Sequence, residues 1–156
     1  MKTDDAKDAG DLGPWWFEDI IVGQVHEFGA AKVKAEDIGA FSERFAPYLP
    51  LRPREDGPAD EPAAPQALVY ALWSRLLYDE TDPWPIRARL GQDALRWFGT
   101  AHAGDTLSIR LTFVAKDDVA KDHGLVITSH DVTRQDGGLV LSLMTRTLMD
   151  KKTPQP

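Results

Sequence analysis

The chain of 156 residues contains no cysteine. That excludes disulfides, thiolate nucleophiles and cysteine-ligated zinc, and it fits a reducing compartment, so a cytoplasmic protein is expected. Basic residues are also in short supply: 18 Lys and Arg stand against 25 Asp and Glu, a net charge of -7. A chain of that sign is repelled by nucleic acid and by an anionic lipid surface, and neither is an expected partner. Long apolar runs are missing as well. None approaches the ~20 residues that cross a bilayer. The stretch from Met1 to Gly13 is acidic and lacks the apolar centre of a secretory signal. The four histidines, His26, His102, His123 and His130, are scattered, with no H-x-x-x-H spacing. No metal and no cofactor are expected from them.

What is present suits one domain with a sizeable core. Residues 1–13 carry Asp4, Asp5, Asp8 and Asp11 and are expected to be a mobile tail. Residues 14–150 are expected to be a single domain, and 151–156 a second tail. Pro14-Trp15-Trp16-Phe17 opens the domain with an aromatic cluster that should cover one end of the core. Val25, Phe28 and Val33 have strand-like spacing around Gly29. Ala35 starts a helix that puts Ile38, Phe41 and Phe45 on one face and that Pro47 and Pro50 end. Residues 50–65, rich in Pro, Ala, Asp and Glu, read as an exposed loop. Gln66 to Tyr78 predicts a helix with almost no polar face, and a helix apolar all round is buried all round. Beyond a loop at Thr81 to Pro85, strands dominate. Leu107, Ile109, Leu111 and Phe113 alternate, as do Leu139, Leu141 and Leu143. Asp136-Gly137-Gly138 reads as the hairpin turn between the last two strands. A buried helix followed by antiparallel strands predicts an α+β hotdog fold, a sheet wrapped around a long central helix.

The run Gly91-Gln92-Asp93-Ala94-Leu95-Arg96-Trp97, followed by Gly104-Asp105-Thr106-Leu107, resembles a segment of the MaoC-like acyl dehydratases. That family is the (R)-specific enoyl-CoA hydratase branch of the hotdog fold. Asp19 to Gly23 is similar to its opening D-x-x-x-G turn, and Ala71-Leu72-Trp73-Ser74-Arg75-Leu76 to a run in its central helix. The resemblance extends from Trp16 to Asp150. It implies an acyl-CoA-type thioester as ligand, no cofactor, and subunits that pair as a homodimer or with a second hotdog chain. It also implies an acid/base pair in a loop of the pattern F-x-x-x-x-D-P-x-x-x-H-x-D, whose Asp and His act on one water beside an enoyl thioester. Aligned without a gap from Phe41, the Asp position is Ala46 and the His position Leu51, with Pro47 on the family proline. With three residues added, Pro50 and Asp56 match, and the two positions become Leu49 and Arg54. Either register loses both groups, since alanine and leucine transfer no proton and arginine stays protonated. One such group is worth roughly 10²–10⁴-fold in rate.

The family's Ser-Gly-x-His segment at the start of the central helix reads Pro65-Gln66-Ala67-Leu68 here. The amides of Ala67 and Leu68 are candidates to meet a thioester carbonyl, because a helix start presents free N–H groups. Trp97 is either a wall of the ligand site or a structural side chain in the sheet. Asp105 is expected to hold its own turn. His102 reads as a surface or ring-packing side chain. His130 and Asp131, neighbours on a strand, point to opposite faces and form no dyad. Three functional readings stay open. The first is a thioester-binding protein with a degenerate site, or the non-catalytic half of a pair. The second is an active hydratase or thioesterase that uses other groups, with Asp56 or Glu55 as the acid. The third is a non-enzymatic structural or ligand-sensing hotdog.

Overall fold

The computed structural model describes residues 14–48 and 62–152. Five strands make one antiparallel sheet: β1 (Val25–Lys32), β2 (Ile86–Trp97), β3 (Thr106–Asp117), β4 (His123–Arg134) and β5 (Leu139–Asp150). Their spatial order is β1-β3-β4-β5-β2. Two helices, α1 (Ala35–Phe45) and α2 (Gln66–Thr81), lie in sequence between β1 and β2. The chain therefore leaves one edge of the sheet, forms both helices and returns at the opposite edge. This is the α+β hotdog arrangement.

The strands follow their alternation. Leu107, Ile109, Leu111 and Phe113 of β3 are buried, and their neighbours are not. The inward phase of β4 is Val126, Thr128, His130 and Val132, and that of β5 is Leu141, Leu143, Thr145, Thr147 and Met149. These inward residues share a core with Leu68, Val69, Trp73 and Leu77 of α2. At roughly 1.5–3 kcal/mol for each large apolar side chain fully buried, this contact is what holds helix and sheet together. The hairpin turn forms where expected: Arg134 N–H donates to Gly138 O (2.9 Å), and Gly138 N–H donates to the Asp136 carboxylate (2.9 Å). β1 carries a bulge between Phe28 and Ala31. Gly29 sits there at φ +83°, and a Cβ on it would lie 2.8 Å from the Leu76 side chain of α2. Glycine thus serves both the left-handed backbone and the close approach of the helix. The aromatic cluster covers one end of the core. Trp15 stacks on Trp84 (5.5 Å between ring centres), and Phe17 is buried against Gly124.

Three expectations need correction. The central helix continues past Tyr78 to Thr81, so Thr81 belongs to it and not to the following loop; its hydroxyl donates to Leu77 O (2.7 Å). Nor is α2 buried all round. Ala67, Ala71, Arg75, Tyr78 and Asp79 are exposed, because the sheet covers only the side that carries Val69, Trp73 and Leu77. Arg75 and Asp79 pair on that outer side (2.7 Å). In α1, Phe41 and Phe45 pack on each other as their shared face predicts (5.2 Å between ring centres); Ile38 and Ser42 are buried and Phe45 is 59% exposed. The end of the predicted exposed loop of residues 50–65 is not exposed: Ala64 is buried and its N–H donates to Ala101 O (2.8 Å), while Ala103 N–H donates to Pro62 O (3.0 Å). Residues 50–61 of that loop, the predicted tail of residues 1–13, and residues 153–156 of the second predicted tail lie outside the described residues.

Candidate functional site

Two of the inward positions of β4 and two of β5 are polar, and the strand register gathers them. Thr128 pairs across from Thr145, and His130 lies one inward step further along β4. The first two bonds among them run in one direction. The Trp73 indole can only donate, so it gives its N–H to His130 Nδ1 (3.0 Å). His130 must then carry its proton on Nε2 and donate it to Thr128 Oγ1 (2.7 Å). Thr128 Oγ1 also shares a hydrogen bond with Thr145 Oγ1 (2.6 Å), in which either hydroxyl can donate. The Thr145 hydroxyl ends this chain of polar groups. Burial, and secondarily the positive charge of Arg89, pushes the His130 pKa from 6.5 down to about 3. A buried imidazole facing an indole N–H has no use for a second proton.

Beside this relay a cleft of about 330 Å³ opens between α2 and strands β2 and β5. Tyr70, Trp73 and Ser74 line it from the helix, Arg89 from β2, and Thr145 and Thr147 from β5. A smaller void of about 20 Å³ shares Arg89, Thr145 and Thr147 with it. Arg89 pairs in register with Thr147, which aims its side chain inward. Its guanidinium rests on the Tyr78 ring (4.2 Å) and donates to Thr81 Oγ1 (2.8 Å). Burial lowers its pKa, against the opposing effect of Tyr78. The arrangement offers a cation, a hydroxyl donor and apolar walls. It offers no carboxylate, and a neutral imidazole with both nitrogens engaged is not a base for a ligand. Among the described residues no group of three His, Asp or Glu side chains could hold a metal ion.

The predicted site residues are dispersed. Ala46 is buried (4% exposed) at the end of α1, its N–H bonded to Ser42 O (3.0 Å). Ala67 is exposed in the first turn of α2, and its amide has no hydrogen-bond acceptor among the described residues. The Leu68 amide is already engaged: it donates to Pro65 O (3.0 Å), and the Leu68 side chain is buried. Trp97 is half-buried at the end of β2 opposite Leu141, packed against the core and away from the cleft. Leu49, Leu51, Arg54, Glu55 and Asp56 lie outside the described residues. Asp105 holds its turn, accepting from His102 N–H (2.8 Å) and from Gln135 Nε2 (2.9 Å). His102 is not at the surface. It is 8% exposed, because its segment bridges to Ala63 just ahead of α2. The relay and Arg89 escaped the sequence reading. Their signal was a polar pair, Thr128 and His130, in the inward phase of an otherwise apolar strand.

The class is set by this sheet and helix: a hotdog protein, with a polar patch inside the curl of the sheet. Solved structures share it. A MaoC-like dehydratase from Rhodospirillum rubrum superimposes with a TM-score of 0.72 at 24% identity, over 89% of this chain and 99% of that one. An R-hydratase from Pseudomonas aeruginosa gives 0.64 at 23% identity, over 88% of this chain and 86% of that one. A Mycobacterium tuberculosis protein with a double hotdog fold gives 0.72 at 20% identity, and this chain spans 46% of its length. At these identities the likeness establishes the fold. No protein-family model and no curated protein matches the sequence.

Proposed function

We propose that the chain is a MaoC-like hotdog of the cytoplasm that binds acyl-CoA-type thioesters and, by itself, lacks the hydratase acid/base pair. The observation that carries this reading is Ala46. In the ungapped register it occupies the family's aspartate position, and it is a buried methyl group at the end of α1. The near-complete overlap with a MaoC-like dehydratase supports the family. The exposed Ala67 amide supports a carbonyl contact, since a helix start presents unpaired N–H groups and positive potential. The Leu68 amide is left out of that contact by its bond to Pro65. No helix among the described residues is long and apolar enough to cross a membrane.

The partner in this reading is a second hotdog, either another copy or a chain with an intact acid/base pair. Among the described residues β2 has a strand on one side only, and α2 exposes its outer face. An unpaired strand edge is a ready template for another strand. The double hotdog neighbour carries two such units in one chain. The test sets a steady-state assay with a trans-2-enoyl thioester beside calorimetry with a saturated acyl thioester. Binding without turnover is expected. Turnover above roughly 1 s⁻¹, the low end for working enzymes, would overturn the degenerate-site reading, and Asp56→Asn would then be the first variant to make. Neither binding nor turnover would leave a structural hotdog.

A further inference from the structure

Four arginines at the surface, Arg75, Arg87, Arg134 and Arg146, each pair with an aspartate at 2.5–3.1 Å. Arg89 is half-buried, yet no carboxylate of the described residues lies within 4.0 Å of it. A guanidinium stays charged at any ordinary pH. Drawing it out of water without a counter-charge costs free energy that a neutral residue would not. Its contacts are the Thr81 hydroxyl and Tyr78, whose ring it lies over and whose hydroxyl favours its charge. These leave several N–H donors, and Arg89 lines the cleft. The Thr145 hydroxyl, at the end of the Trp73-His130-Thr128 chain, lines the same cleft. Tyr70, Trp73 and Leu77 give it apolar walls.

We infer that this cleft is a carboxylate site, in which Arg89 takes one or both oxygens of a ligand carboxylate and the Thr145 hydroxyl donates to it. Paired N–H donors match the two oxygens of a carboxylate, and such charge-assisted bonds are the strong ones. The site stands on these residues alone. Joined to the proposed thioester reading, on which this next step rests, it sets the substrate class: an acyl thioester with a carboxylate at its far end. The helix rise measures the chain. From Ala67 to the level of Ser74–Tyr78 is roughly 10–16 Å at about 1.5 Å per residue, which calls for an acyl chain on the order of ten carbons.

The experiment is calorimetric titration of the full chain with decanedioyl-CoA, decanoyl-CoA and free decanedioate, repeated on Arg89→Gln and Thr145→Val. The diacid thioester should bind about 10- to 100-fold more tightly than the monoacid, the range expected for a charged hydrogen-bonded contact. Arg89→Gln should abolish the preference and Thr145→Val should reduce it. Thermal unfolding of each variant confirms that it is folded, and Thr145→Val with its smaller change carries the test if Arg89→Gln does not fold. Equal binding of both thioesters would overturn the carboxylate site and leave the thioester reading intact. Binding of free decanedioate that Arg89→Gln removes, with no gain from the thioester, would keep the site and overturn the thioester reading. Loss of a dimer in Arg89→Gln, with no preference between acids, would assign the guanidinium to a carboxylate of a second copy and overturn the ligand site.

Discussion

Replacing His130 by glutamine and following stability against pH tests the polar patch most directly. In the folded chain burial and the nearby Arg89 charge hold the imidazole neutral, with a pKa of about 3 against 6.5 when unfolded. Near neutral pH both states are unprotonated and the group contributes no pH dependence. As pH falls below 6.5 the unfolded chain takes up a proton that the folded chain refuses, so stability is lost progressively towards pH 3. Between about pH 7.5 and about pH 5 the unfolded chain gains a factor of roughly 30 in proton binding and the folded chain almost nothing, a loss of about 2 kcal/mol. A glutamine can accept from the Trp73 indole through its oxygen and donate to Thr128 through its amide, and it does not titrate. Urea unfolding followed by tryptophan fluorescence at the two pH values should therefore show about 2 kcal/mol more loss in the parent chain than in His130→Gln. His26, whose pKa burial also lowers, contributes with the same sign but equally to both proteins. Equal pH dependence in the two would refute the buried neutral imidazole, and with it the fixed direction of the relay.

Other substitutions test other links. Trp73→Phe keeps the ring and removes the N–H, leaving His130 Nδ1 buried without a donor; a loss of about 1–3 kcal/mol in urea unfolding is expected. Gly124→Ala would drive a Cβ into the Phe17 ring, so the ring must shift; a loss on the order of 1–3 kcal/mol is expected, and an unchanged midpoint would show that Phe17 does not seal this end. Asp105→Ala removes the acceptor for His102 N–H and Gln135 and should cost about 1–3 kcal/mol, with Asp105→Asn milder because it keeps an acceptor oxygen. Light scattering at micromolar concentration should find a dimer or, in the presence of a hotdog mate, a heterodimer; a monomer under both conditions would remove the pairing from the proposed function.

Strands β3, β4 and β5, the Asp136-Gly137-Gly138 turn and the presence of a central helix were legible in the sequence, because each is a local pattern. A period of two buries one face of a strand whatever lies across from it, and a turn is set by its own residues. Asp105 belongs to the same group, since its acceptor serves an amide three residues away. The extent of burial of α2 was not legible. Apolar composition says that a helix can be covered, and only the reach of the sheet says which side is. The candidate site was legible least of all. Trp73 and His130 are separated by 57 residues and Thr128 and Thr145 by 17, and Arg89 arrives on a strand at the sheet's far edge. Their meeting depends on strand register and on where the helix crosses the sheet, both fixed by packing of the whole core. The tautomer of His130 follows from that meeting, because a donor-only indole 57 residues away decides which imidazole nitrogen must accept.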